Sequence, residues 1–197
     1  LNHDYFNTID SHNKAYLLGL MYSDGYVSKS KSVINFVSKD FDMISFFKKE
    51  IKFSGELVPN SKNKKCLNIT FNSQKIKDQL INLGCVPLKS LILDFPEANQ
   101  VSREFIWSFI LGYFDGDGCI SGKKQKQVKF VSSTKFCTKL VKFFNDNDIT
   151  TCKITQEKHF NPQTSYFRVV KSESIALLKE KMYENAPFIL NRKYGRF

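Results

Sequence analysis

The chain lacks any run of 18 or more apolar residues, so a membrane-spanning helix is not expected. A secretory leader is not expected in these residues either, because Asp4, Asn7 and Asp10 interrupt whatever apolar segment the first residues could offer. Cysteine is scarce and odd in number. The five residues Cys66, Cys85, Cys119, Cys137 and Cys152 contain no Cys-x-x-Cys pair. That excludes a disulfide framework and a zinc finger, and it suits a reducing interior. The expected location is intracellular, in cytoplasm, nucleoid or an organelle matrix, without secretion. Only three histidines occur, His3, His12 and His159, none at ligand spacing from another. No methionine precedes Leu1, as in a processed or trimmed product.

What is present describes an ordered, basic protein. Hydrophobic residues make up 42% of the chain and phenylalanine alone supplies 19, which is incompatible with a disordered tail. At 197 residues it can bury a full core as one domain or two small ones. The net charge of +11 favours a polyanionic partner. The charge is uneven. Residues 1–101 hold 13 lysines against 10 acids, net +3, whereas residues 102–197 hold 17 lysines and arginines against 9 acids, net +8. All four arginines (Arg103, Arg168, Arg192 and Arg196) lie in the second half, which should grip a phosphate backbone more firmly.

Two segments organise the rest. Leu17 to Gly25 reads LLGLMYSDG and Ile110 to Gly118 reads ILGYFDGDG. An offset of 93 carries Gly19 onto Gly112, Ser23 onto Gly116, Asp24 onto Asp117 and Gly25 onto Gly118. Both read as helices that stop at glycine. Ala15, Gly19 and Ser23 line one face of the first, and Ser108, Gly112 and Gly116 line one face of the second. Faces this small let two helices pack closely. If they run parallel, Asp24 and Asp117 meet at the negative ends of two helix dipoles, where each carboxylate is disfavoured and the two repel. A hard divalent cation relieves both problems, and Mg²⁺ suits few carboxylates completed by water and phosphate, with Mn²⁺ or Ca²⁺ able to substitute in binding.

The intervening residues repeat an order. A first helix over Asn13 to Tyr22 is followed by a hairpin to Ser38. Asp40 then caps a helix reaching Lys52, with Phe41, Ile44, Phe47 and Ile51 inward. Strands over Gly55 to Val58 and Cys66 to Phe71 flank the basic loop PNSKNKK, and Ser73 to Leu83 is helical. Pro87 and Pro96 make Cys85 to Val101 an extended linker. Ser102 caps the second motif helix, and Cys119 to Ser133 is a hairpin. Thr134 to Asp146 is a helix, a hairpin turns around Pro162, and Ser172 to Tyr183 is the last helix. The expected class is α+β. Two pseudo-symmetric αββαββα halves, 1–101 and 102–197, each hold an antiparallel four-stranded sheet with helices on one face.

These segments resemble the namesake motifs of the LAGLIDADG homing endonucleases, in the form that carries both motifs on one chain. The lead-in KAYLLGL, the linker LKSLILDFP and the terminal ILNRKYGRF extend the resemblance over nearly the whole sequence. It departs at Tyr22, where the motif usually has an acid, while the second copy keeps Asp115. The resemblance implies a saddle that binds a long, asymmetric double-stranded DNA target in the major groove. It implies hydrolysis of one phosphodiester per strand, leaving 3′ overhangs, by a monomer that needs no protein partner and no membrane. Asp24 and Asp117 would hold metal, helped by the carbonyls of Ser23 and Gly116, and Lys89 and Lys193 would stand as active-site lysines.

The polar and basic strand positions are the expected DNA face, since strands fit the major groove and these side chains can read base edges or hold phosphates. In the first half they are Tyr26, Ser28, Lys29, Lys31, Asn35, Lys62, Lys64, Lys65, Asn68 and Thr70. In the second they are Ser121, Lys123, Lys124, Gln125, Lys126, Gln127, Lys129, Lys153, Thr155, Arg168, Lys171 and Arg192. The alternatives are a silent nucleic-acid binder, either an intron RNA-splicing maturase or a DNA-binding regulator, and a basic scaffold protein. Retention of both acids weighs against them, because binding alone needs neither.

Overall fold

The computed structural model describes residues 1–122, 125–156 and 164–197. Ser11 opens the first helix, its hydroxyl accepting from the Lys14 N–H, and α1 runs His12–Ser23. Strands β1 (Gly25–Val27) and β2 (Val33–Ser38), helix α2 (Phe41–Glu50), strands β3 (Val58–Pro59) and β4 (Leu67–Asn72), and helix α3 (Gln74–Asn82) complete the first half. A 3₁₀ turn at Lys89–Leu91 leads to α4 (Ile106–Asp117). The second half follows as β5 (Cys119–Ser121), β6 (Gln127–Ser133), α5 (Thr134–Asn145), β7 (Thr155–Gln156), β8 (Thr164–Val169) and α6 (Ser172–Tyr183), closed by a short α7 (Asn191–Tyr194).

The strands form two antiparallel sheets of the same topology, β1-β2-β4-β3 and β5-β6-β8-β7. In each central strand the burial alternates, so Ile34 and Phe36 point into the core while Asn35 does not, and Val128 and Phe130 point in while Lys129 does not. The inner faces pack helices. Phe36 stacks on Phe47 of α2 with ring centroids 4.6 Å apart, and Phe130 meets Phe144 of α5 at 5.3 Å. Among the described residues the outward strand positions are mostly polar, so each sheet keeps one polar side. The two halves share one continuous core.

At its centre lie α1 and α4, buried along almost their whole length. A helix enclosed on every side needs no polar stripe, which explains why both read as continuously apolar. They run parallel: His12 Nδ1 meets Ser108 Oγ at 2.9 Å at one end, and Ser23 meets Gly116 at the other. Between these, a Cβ on Gly112 would collide with the Tyr16 carbonyl, and one on Gly19 would stand 2.6 Å from the Tyr113 nitrogen. The small-residue faces are therefore a backbone-to-backbone seam.

Several boundaries differ from the sequence reading. α4 begins at Ile106, not Ser102, because the Ser102 carbonyl accepts from Phe105 N–H at 3.1 Å in a preceding turn. The linker is not extended throughout, since Leu88 at φ 57° turns it into the 3₁₀ segment. Phe41 is 64% exposed, and Met43 takes the inward place. Asp40 stands before α2 without a side-chain capping bond, because its carboxylate has a partner elsewhere. β3 is confined to Val58–Pro59, and α7 had no counterpart among the expected elements. The expected hairpin tip around Pro162 lies outside the described residues. Among those described, no helix is long and apolar enough to cross a membrane.

Candidate active site

Both motif helices end in an acid. Asp24 closes α1 and Asp117 ends α4; solvent reaches both residues, whereas Gly25 and Gly118 just beyond them are buried. Parallel packing brings the two ends together: a Cβ on Gly116 would stand 2.9 Å from Asp24 Oδ2. Although solvent reaches the acids, protein crowds their carboxyl groups. That partial burial pushes Asp117 up to about 6, with the Asp24 charge adding to it, and burial likewise raises Asp24 against the opposing pull of Lys193 and Lys89. Burial is the larger cause for both, and repulsion between the two anions enters through Asp117.

This yields a stability prediction. A carboxyl whose folded value lies above its unfolded one costs stability progressively as pH rises from the unfolded value, and the loss is complete above the folded value. The metal-free protein should therefore lose stability from these acids between about pH 4 and pH 6–7. Asp117→Asn should raise the melting temperature at pH 7.5 by about 2–4 °C, the shift of about 1 kcal/mol in a chain of this size once solvent access discounts the effect. At pH 4 the gain should vanish. Thermal melts at the two pH values, with chelator present, measure it.

Two cavities flank the helix pair, one per acid. The first, about 440 Å³, is lined by Asp24, Val37, Asp40, Asp115, Arg192 and Lys193 among others. The second, about 360 Å³, is lined by Tyr22, Ser23, Leu93, Tyr113, Asp117 and Val131 among others. The repeat offsets map Asp24 to Asp117, Val37 to Val131 and Asp115 to Tyr22. Each cavity therefore mixes both halves: Asp24 faces the Gly116 backbone, and Asp117 shares its cavity with Ser23. Gly116 lines the Asp24 cavity and Ser23 the Asp117 cavity.

The lysines occupy symmetric positions but not exposed ones. Lys89 Nζ donates to the Gly25 carbonyl, and Lys193 Nζ donates to the Phe114 carbonyl and, at 2.7 Å, to that of Gly118. Both residues are buried. Each caps the C-terminal end of the motif helix in its own half, where a cation offsets the helix dipole. Burial pulls Lys193 below the usual lysine range.

The expected DNA-face residues fall into groups. Tyr26, Thr70, Ser121 and Thr155 are exposed on strands, and Asn35, Asn68, Gln127, Lys129 and Arg168 are half-buried on them. Asn35 Nδ2 donates to Thr70 Oγ1 at 2.6 Å and Arg168 Nη1 to Gln127 Oε1 at 3.0 Å, while Lys129 lies 4.0 Å over the Tyr166 ring. Lys29, Lys31, Lys62, Lys64, Lys65, Gln125, Lys126, Lys153 and Lys171 are exposed at turns or strand ends, though Lys126 Nζ also reaches the Phe197 carbonyl. Ser28 is corrected: it is 6% exposed, and its hydroxyl accepts from Lys31 N–H to close the β1–β2 turn. Lys123 and Lys124 lie outside the described residues.

Two residues of the site escaped the sequence reading. Asp115, 1% exposed, accepts from the Tyr16 hydroxyl at 2.9 Å, and its other oxygen has no partner. The Tyr22 mismatch at the equivalent position was the available signal. Asp40 takes a two-pronged ion pair from Arg192, Nε to Oδ1 at 2.7 Å and Nη2 to Oδ2 at 2.6 Å, across 152 positions. No local pattern encodes such a pair. Among the described residues, no group of three or more His, Cys, Asp or Glu could hold a metal by itself.

Residues 104–182 match the LAGLIDADG-like domain. No curated protein matches the sequence. Among solved structures, the I-LtrWI LAGLIDADG homing endonuclease bound to target DNA shares 12% identity at a TM-score of 0.57, covering 95% of this chain and 86% of its own. An I-DmoI variant in complex with its target DNA in the presence of 2 mM Mn shares 14% at 0.56, over 87% and 93%. Full-length DUF199/WhiA from Thermatoga maritima shares 15% at 0.54, over 98% and 69%. The chain thus carries a LAGLIDADG-like domain in its second half and, over most of its length, the two-sheet LAGLIDADG fold of the homing endonucleases.

Proposed function

We propose that this protein is a site-specific, divalent-metal-dependent double-strand DNA endonuclease acting as a monomer. The observation that carries the reading is the convergence of Asp24 and Asp117, both reached by solvent, at the ends of two parallel helices. Duplex DNA laid across the polar sheet faces places one strand's phosphate over each cavity. Asn35, Asn68, Thr70, Gln127 and Arg168 read base edges, and the lysine-bearing turns hold phosphates.

The donor set fits Mg²⁺ or Mn²⁺: two carboxylates and the Ser23 and Gly116 carbonyls, with water and DNA phosphate needed to complete the coordination. Burial raises both acids, and the Asp24 charge adds to the rise of Asp117, which is the cost a cation relieves. When bound, the cation supplies charge at the scissile phosphate and acidity to a water molecule. The chain's own residues orient and enclose. Gly116 lets Asp24 approach the opposite helix, and Lys89 and Lys193 hold the backbone that carries the acids while adding positive potential beneath the phosphates. Homing endonuclease chemistry, with 3′ overhangs, is the specific form of this activity we assign.

The test selects bound duplexes from a randomised library and clones one into a plasmid. Mg²⁺ should then produce linear DNA with staggered 3′ ends at one position. Binding without any cleavage in Mg²⁺ or Mn²⁺ overturns the proposal. It would favour a second reading, nucleic-acid binding without cleavage, for which one observation speaks: the donors of both lysines are engaged by backbone carbonyls.

A further inference from the structure

The two cavities are equivalent by repeat position and unequal in chemistry. Lys89 and Lys193 correspond, since their ammonium groups hold Gly25 and Gly118 respectively. The residue before each therefore corresponds too: Leu88 on one side and Arg192 on the other. Arg192 lines the Asp24 cavity. Leu88 is 75% exposed, and among the described residues no arginine or lysine lines the Asp117 cavity, which is walled instead by Tyr22, Leu93 and Tyr113.

Asp40 fixes the arginine in place. It takes Nε and Nη2 of the guanidinium, and the Nη1 donors are not part of that pair. That bond holds the carboxylate below its usual range, so the pair stays ionised throughout the physiological range. Asp40 has no acidic equivalent: offset 94 maps it to Thr134, whose hydroxyl pairs with Ser165.

We infer that Arg192, oriented by Asp40, is a phosphate-positioning residue for one DNA strand only, so the strand lying over the Asp24 cavity is held more tightly and cut first. This rests on the reading that duplex DNA crosses the open sheet faces. A planar guanidinium binds a phosphate through a fork of donors, and an arginine already anchored by a carboxylate loses little freedom in doing so. The other strand meets a leucine at the same place, so its phosphate relies on Lys89 and the cation alone.

Ethylation interference on a library-selected duplex, in chelator, tests this without requiring cleavage. Two central maxima, one per strand, should differ in height by roughly tenfold, the scale of one hydrogen bond to a charged group. Arg192→Leu should lower only the higher maximum, Arg192→Lys should keep part of it, and Leu88→Arg should raise the lower one. Both positions are solvent-accessible, and unchanged melting curves verify folding. With Mg²⁺, strand-specific labels should show nicking of the Asp24-side strand first in the parent and loss of that order in Arg192→Leu. Equal maxima in the parent, or a difference that survives Arg192→Leu, overturn the inference. Unequal maxima with no cleavage would instead sink the nuclease reading and leave the asymmetry standing.

Discussion

Replacing either motif acid, as Asp24→Asn or Asp117→Asn, is expected to suppress formation of linear plasmid by at least about 10³-fold, about 4 kcal/mol of barrier. Affinity for the same duplex in chelator should fall by no more than about threefold, and a gain is the more natural direction, because each change removes an anion facing the phosphates. The asymmetry between the two effects follows from the geometry. Each carboxylate stands at a helix end where burial already disfavours its charge more than the nearby lysines favour it. A supercoiled-to-linear assay beside metal-free binding by fluorescence anisotropy separates the outcomes. Cleavage of both strands at the parental rate by either variant would remove Asp24 and Asp117 from the chemistry.

The second large effect concerns the seam beneath the acids. Gly112→Val should destabilise the protein by about 3 kcal/mol or more, which in a chain of this size lowers the melting temperature by about 6–12 °C. The first atom added meets the Tyr16 carbonyl, and backbone cannot swing aside as a flexible side chain can. Forcing the helices apart also separates Asp24 from Gly116, so surviving activity should fall further than stability alone explains. Gly195→Ala is the control: its φ is −70°, its nearest neighbour would be Asn191 O at 3.4 Å, and the change should be close to neutral. Equal melting temperatures for the two variants would refute the seam.

Much of the fold was legible because its signals are local. The helix expected over Ser73 to Leu83 and the hairpins expected to Ser38 and over Cys119 to Ser133 rest on short-range patterns, and the structure reproduces them. The repeat added a long-range signal, since one offset aligns both motif helices. What failed was also local in cause. Phe41 carries an apolar side chain at helical spacing, yet it sits in the first turn where the helix meets solvent, and Met43 packs instead. Ser102 has the chemistry of a helix cap, but a turn intervenes before α4. Ser28 belongs by composition to a polar strand face, whereas its hydroxyl is consumed in closing a turn.

By itself the sequence determined the duplicated helix–sheet architecture, the basic character of the chain and the identity of the two acids, because periodicity, charge and a repeated Asp-Gly need no knowledge of distant partners. Only the tertiary structure decided that Lys89 and Lys193 cap the motif helices from beneath, that Asp115 is buried against Tyr16, and that Asp40 clamps Arg192 beside one acid and not the other. Those contacts join residues 64 to 152 positions apart. They exist only because two glycine-lined helices approach closely enough for the end of each to shape the other's cavity.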